Sequence, residues 1–154
     1  MSPVFLETPG GLSAFHRVVL DYTGTLSLDG QLLPGVEDRL HRLARDLQIT
    51  ILTADTFGTA RESVKDLPVN IQVIQNGQEK AGIVAAMDAE GVIAIGNGRN
   101  DIPMMEVAAI SIAVLGPEGA AASLLHAADI VTRDINDALD LLLNPLRLKA
   151  TLRN

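Results

Sequence analysis

The sequence predicts a three-layer α/β domain, a parallel sheet covered by helices on both faces. Short apolar runs of four to six residues alternate with segments whose apolar residues fall at helical spacing. Several of those runs end abruptly on polar residues, as strands do where they emerge at the rim of a buried sheet. The 154 residues leave room for one domain with one substantial core, so 1–154 is read as a single unit with residues 1–16 as an N-terminal hairpin extension.

The elements follow in order. Val4 to Glu7 and Leu12 to Phe15 flank Pro9-Gly10-Gly11 as a small hairpin. Arg17-Val18-Val19-Leu20 reads as a buried strand that closes on Asp21, and Gly24 permits a sharp departure of the backbone after it. Leu26 to Leu33 alternates around Asp29-Gly30, which predicts a hairpin flap over that strand end. Val36, Leu40, Leu43 and Leu47 mark a helix. Ile49 to Leu52 is a second strand ending at Thr53-Ala54-Asp55, with Asp55 read as a cap for a helix from Thr59 to Asp66. A third strand, Asn70 to Ile74, leads into a helix on which Lys80, Ile83, Val84 and Met87 share a face.

Val92 to Ile95 is the fourth strand, followed by the loop Gly96-Asn97-Gly98-Arg99-Asn100-Asp101 and a short helix past Pro103. Ile110 to Leu115 is the fifth, and Gly116-Pro117-Glu118-Gly119 turns into an alanine-rich helix reaching about Ala127. Ile130-Val131 is an edge strand, Asp134 caps a helix through Leu143, and Asn144-Pro145 starts about one further turn.

Composition excludes several functions. Without cysteine there is no disulfide, thiolate nucleophile or cysteine–zinc site. A formal charge of −7 argues against general binding of nucleic acid or anionic membranes, and scarce aromatics argue against base stacking. No signal-peptide pattern or bilayer-length apolar run is present, so the expected setting is cytoplasmic. His16, His41 and His126 lack metal-ligand spacing, and the glycines form neither a dinucleotide fingerprint nor a P-loop.

Because parallel strands share a direction, Asp21, Thr53 and the Asn97 to Asp101 loop are expected to meet at one rim, within reach of Lys80. One carboxylate, one hydroxyl, one ammonium and an amide–carboxylate loop suit a phosphoryl group with a divalent ion. Asp21 is the candidate nucleophile, Thr53 a bond donor to phosphoryl oxygen, Lys80 the neutralising charge and the loop a site for Mg²⁺.

Asp21-Tyr22-Thr23-Gly24-Thr25, Thr53-Ala54-Asp55, Lys80 and Gly96-Asn97-Gly98-Arg99-Asn100-Asp101 resemble, in order, the four motifs of the haloacid dehalogenase-like phosphotransferases. The first is most similar to the phosphorylation motif of P-type ATPases, and the chain resembles the small P-type ATPase-like proteins without membrane helices. That resemblance implies a Rossmann-like fold without a cap domain and an aspartyl phosphate on Asp21. It implies catalytic roles for Asp21, Thr23, Thr53 and Lys80, and phosphate binding by Asp21, Thr53, Ala54, Lys80 and Asn100. The Mg²⁺ ligands would be Asp21, the Thr23 backbone carbonyl and Asn97, with Asp101 holding a metal-bound water or positioning the loop.

Two departures stand out. Thr23 replaces the aspartate that serves most phosphatases of the superfamily as general acid and base, and Asn97 replaces a metal-binding aspartate. Slow turnover of a phosphorylated substrate is therefore expected, with self-association covering the capless site. The alternative is a non-catalytic or regulatory module that keeps a phosphate and metal pocket. A response-regulator receiver is disfavoured, because no acidic pair accompanies Asp21 and the acidic groups occur in the wrong order.

Overall fold

The computed structural model describes residues 4–8 and 11–153. Its centre is a six-stranded sheet built from β3 (Arg17–Leu20), β6 (Gln48–Thr53), β7 (Asn70–Val73), β8 (Val92–Gly96), β9 (Ile110–Val114) and β10 (Ile130–Thr132). Their order is β10-β9-β8-β3-β6-β7, and every neighbouring pair is parallel. Two antiparallel hairpins stand apart from this sheet: β1 (Val4–Thr8) with β2 (Gly11–Phe15), and the flap β4 (Ser27–Leu28) with β5 (Gln31–Leu32).

Alternation along the strands divides the apolar residues between two layers, as the two-residue period of a strand requires. Val18, Leu20, Ile93 and Ile95 pack with α1 (Val36–Leu43), α2 (Ala60–Val64) and α6 (Ile135–Leu143). Val19, Val92 and Ala94 face the other way, toward α3 (Gly77–Ala86), α4 (Ile102–Val107) and α5 (Ala122–Ala127). The three-layer α/β fold is thus present, and the only elements inserted between β3 and β6 are the flap and α1. No helix among the described residues is long and apolar enough to cross a membrane.

Asp134 and Asp55 bond helix-start amides as expected, whereas Asn144 before Pro145 makes no side-chain cap bond. Asp134 accepts a hydrogen bond from the Asp137 amide at the start of α6, and Asp55 accepts one from the Ala60 amide at the start of α2. Several helices differ in extent from the expectation: α1 stops at Leu43, short of Leu47, and α2 covers Ala60–Val64 rather than Thr59 to Asp66. α7 (Pro145–Leu152) runs for eight residues rather than about one turn, because Leu148 is buried and Leu152 packs on the same core. α5 begins only at Ala122, because the Ala121 amide is bonded to the Asn97 carbonyl and the preceding backbone stays extended.

The chain leaves β3 for β6 and β7 on one side, then crosses to β8 on the other. The switch in direction lies between β3 and β8. In open α/β sheets a crevice forms there, outside the carboxyl ends of the strands.

Candidate active site

Asp21 follows β3 directly, and its amide is bonded to the Ile95 carbonyl of β8, which holds it at the switch point. Gly24 then takes φ +77°, and a Cβ there would stand 2.5 Å from the Asn97 amide nitrogen. Glycine is needed both for the turn and for this approach. The turn brings Thr25 back beneath Asp21. Its buried hydroxyl lies 3.0 Å from Asp21 Oδ2 and 3.1 Å from Asn97 Oδ1, sharing its one hydrogen between two acceptors.

Lys80 stands in the second turn of α3 and is fully buried. Its Nζ donates to Asp21 Oδ1 at 2.9 Å and to Asp101 Oδ1 at 2.6 Å. Burial alone pulls the ammonium pKa down, but Asp21 and Asp101 outweigh it and leave the pKa above the ordinary lysine value. Asp21 has the opposite problem. Burial pushes its pKa up to about 7, Asp101 adds to the rise, and Lys80 and Thr25 offset only part of it. Two carboxylates share one ammonium, so above about pH 7 the cluster carries an uncompensated negative charge.

Asp101 is also fully buried, and its remaining oxygen accepts from the Asn97 and Gly98 amides, both at 3.0 Å. A Cβ at position 96 would collide with this carboxylate, so Gly96 is what allows the loop to fold back over it. Both Asp101 oxygens accept hydrogen bonds, one from Lys80 and the other from the loop amides. Of the two roles considered for it, positioning the loop is the one these bonds fit.

A cavity of about 240 Å³ opens above Asp21. Thr23, Thr53, Ala54, Asn97 and Asn100 all line it, so these expected site residues meet around one space. Lys80 lies behind Asp21 rather than in the wall. Thr53 is buried at the end of β6, and its Oγ1 accepts from the Asp55 amide at 2.9 Å, leaving the hydroxyl hydrogen for another acceptor. The Thr23 hydroxyl is buried without a hydrogen-bond partner. Buried polar groups are nearly always satisfied, so an orphan at a cavity marks a place for water, an ion or a ligand.

The oxygens around this space suit a hard cation: the Asp21 carboxylate and the Asn97 carbonyl. The orientation of the Asn97 amide follows from its bonds, because Nδ2 donates to the Gly119 carbonyl at 3.0 Å and turns Oδ1 toward Thr25. Among the described residues no group of three or more histidines, aspartates or glutamates could hold a metal ion. A cation here would rely on one carboxylate and neutral oxygens. The three histidines are exposed.

Two lining residues, Thr56 and Glu118, had no role in the sequence reading, nor did Thr25. Thr25 belongs to a recognised motif, but its partner Asn97 is 72 positions away. Glu118 lies in a turn with no periodic signal. Only its place after the strand β9, at the same rim, could have marked it.

A parallel sheet with a carboxylate–ammonium–carboxylate cluster under a polar cavity at its switch point defines an α/β protein with a buried acidic centre. A family model for haloacid dehalogenase-like hydrolases matches residues 84–139. The uncharacterized protein MJ0073 of Methanocaldococcus jannaschii is 56% identical over 63 residues, covering 41% of this chain and 68% of that protein. The chain belongs to the haloacid dehalogenase-like hydrolases.

Solved structures share the fold at low identity. The cobalt-bound deoxy-D-mannose-octulosonate 8-phosphate phosphatase of Haemophilus influenzae superposes with a TM-score of 0.72 at 17% identity, covering 91% of this chain and 94% of that one. The 3-deoxy-D-manno-octulosonate 8-phosphate phosphatase of Moraxella catarrhalis, in complex with magnesium, phosphate and KDO, gives 0.66 at 19%, covering 88% and 90%.

Proposed function

We propose that the protein is a Mg²⁺-dependent phosphohydrolase or phosphotransferase that works through an aspartyl phosphate on Asp21. The observation that carries this reading is Lys80 Nζ bonded to both Asp21 and Asp101 directly behind the cavity. An Asp21 oxygen forms a bond to phosphorus as the ester P–O bond breaks, and the departing oxygen takes a proton from water. Water then attacks the phosphoryl group, releasing phosphate and restoring the carboxylate. Lys80 holds Asp21 in place and offsets its charge, and Thr53, the Ala54 backbone and Asn100 bind phosphoryl oxygens.

Asp21, the Thr23 carbonyl and Asn97 would hold Mg²⁺, which when bound neutralises phosphoryl charge. Family membership and the magnesium in the Moraxella catarrhalis complex support this choice of ion. The Thr23 hydroxyl does not titrate near neutral pH, so the general acid–base contribution, about 10²–10⁴-fold, is missing and turnover is slow. The first motif fits the P-type ATPase-like, capless members, Asn97 departs from the acid of the fourth, and a second copy would then cover the cavity. Octulosonate 8-phosphate is not carried over as the substrate at these identities. The test is hydrolysis of p-nitrophenyl phosphate with and without Mg²⁺ by the wild type and Asp21→Asn. Activity that survives the substitution removes the nucleophile.

Thr23 and Asn97 also favour a second reading, a phosphate- and metal-binding module without turnover. Calorimetric binding of Mg²⁺ and phosphate, with no hydrolysis across a broad ester panel, would select it.

A further inference from the structure

Among the described residues that line the cavity, Asp21 and Glu118 alone are charged, and both are acidic. Lys80, behind Asp21, is already bonded to two carboxylates, and Arg99, between the lining residues Gly98 and Asn100, is exposed and not part of the wall. A phosphoryl group still has Thr53, Asn100 and a cation beside Asp21 to meet it. Glu118 is the other charged group in that wall.

An exposed glutamate ordinarily has little effect, because its side chain moves and solvent screens it. Glu118 is held. Its turn is closed by the Gly119 amide on the Gly116 carbonyl and tied to the cavity floor by Asn97 Nδ2 on the Gly119 carbonyl. Its Oε2 accepts from the Asp29 amide at the flap tip at 3.1 Å. That tip is itself fixed, since the Gly30 carbonyl accepts from the Tyr22 and Thr59 hydroxyls, both at 2.9 Å. Three segments therefore station one negative charge in the cavity wall beside the flap tip.

We propose that Glu118 selects substrates by charge: the protein takes phosphomonoesters whose leaving group is a neutral or cationic alcohol and discriminates against those carrying a carboxylate. This rests on the phosphatase reading above. Glutamine at 118 keeps a carbonyl oxygen for the Asp29 amide and removes only the charge, so it separates selection from the clasp on the flap.

The experiment compares kcat/KM for three esters of similar size at low ionic strength: phosphoethanolamine, glycerol 3-phosphate and 3-phosphoglycerate. The wild type is expected to favour the first two over the third by about tenfold, the scale of one charge acting over a few ångströms in water-like surroundings. In Glu118→Gln the ratio falls to about twofold or less, in Glu118→Lys it inverts, and high salt shrinks it in the wild type. An unchanged ratio in Glu118→Gln, or a wild-type preference for 3-phosphoglycerate, overturns the proposal. So does a loss of Mg²⁺ affinity in Glu118→Gln with the ester ratio intact, because the charge would then serve the cation. If no ester is turned over, the phosphatase reading fails, and calorimetric affinities of the same esters for Asp21→Asn with and without Glu118→Gln still decide on selection. Equal affinities, or no binding at all, overturn it.

Discussion

Two ion-pair systems in this molecule use the same chemistry to opposite ends. Arg39 in α1 grips Asp140 in α6 with two parallel bonds, Nε to Oδ1 at 2.8 Å and Nη2 to Oδ2 at 3.2 Å, at side-chain exposures of 25% and 27%. One cation meets one anion, and the pair is complete. Lys80, fully buried, meets two carboxylates and leaves a negative charge over. A buried charge without a partner costs several kcal/mol, so an arrangement of this kind is kept for reasons other than stability. The first pair fastens two helices together. The second holds a carboxylate in a state that a cation, or an electrophile, would relieve.

The sharpest way to break this comparison is Asp21→Asn. Under the proposed mechanism it lowers kcat by at least about 10³-fold, read in single-turnover hydrolysis. Its effect on stability has the opposite sign. With the pKa at about 7 in the folded chain against 3.8 unfolded, the folded state binds more protons between those values. The charge therefore subtracts stability as pH rises from about 4 to about 7. Urea melts without metal at pH 7.5 should find Asp21→Asn at least as stable as the wild type. Mg²⁺ should raise the wild-type Tm and leave that of the variant nearly unmoved. A loss of several kcal/mol in Asp21→Asn would make its carboxylate structural, and the contrast with Asp140 would collapse.

Lys80→Met should be the most damaging change to the fold. It leaves Asp21 and Asp101 facing each other in the interior without a cation, and breaking a buried pair from one side costs about 3–5 kcal/mol. Equilibrium unfolding measures this. A cost under 1 kcal/mol would mean that water reaches the cluster.

Much of this was legible in the chain because the polar residues follow apolar runs directly. Asp21 after Val18-Val19-Leu20, and Thr53 after Ile49 to Leu52, declare strand ends, and parallel strands put their ends on one side. Lys80 was legible as a residue near that rim, but not as a buried one. Lysine is normally solvated, and only the convergence of two carboxylates from distant segments makes its burial tolerable. Glu118 and Thr25 act through partners on other elements, and spacing along one chain carries no trace of such contacts. The length of α7 was hidden for a related reason: its buried side, Leu148 and Leu152, is defined by the core it lands on.

Asn97→Asp sharpens the contrast at smaller scale. The acid that the family motif carries at this position would add a charged ligand to a cation site. Yet Asn97 Nδ2 donates to the Gly119 carbonyl, and a carboxylate oxygen would face that carbonyl instead. The loss is expected at about 1–3 kcal/mol without metal, with part recovered on adding Mg²⁺. Thermal melts across a Mg²⁺ titration read both effects. Equal stability without metal would show that the Gly116 to Gly119 turn yields easily, which would weaken the anchoring argued for Glu118.

The smallest expected effect is at the other pair, and its sign is the useful part. The Arg39 hydrogen bonds hold the Asp140 pKa below the ordinary carboxylate value. In the unfolded chain the group has that ordinary value, about 3.9, and binds more protons than in the folded chain. Its contribution is thus fully present above the unfolded pKa and is lost as pH falls through the lower, folded one. For a pair one quarter exposed this amounts to about 1 kcal/mol. Asp140→Asn should cost that much at pH 7, cost progressively less as the solution is acidified below pH 4, and leave hydrolysis unchanged. Over pH 4 to 7, where Asp140 contributes a constant stabilisation, Asp21 works against folding. Subtracting each variant's stability profile from the wild type should give a flat difference for Asp140 and a sloping one for Asp21. Two flat profiles would mean that the excess charge on the Lys80 cluster is already neutralised in solution.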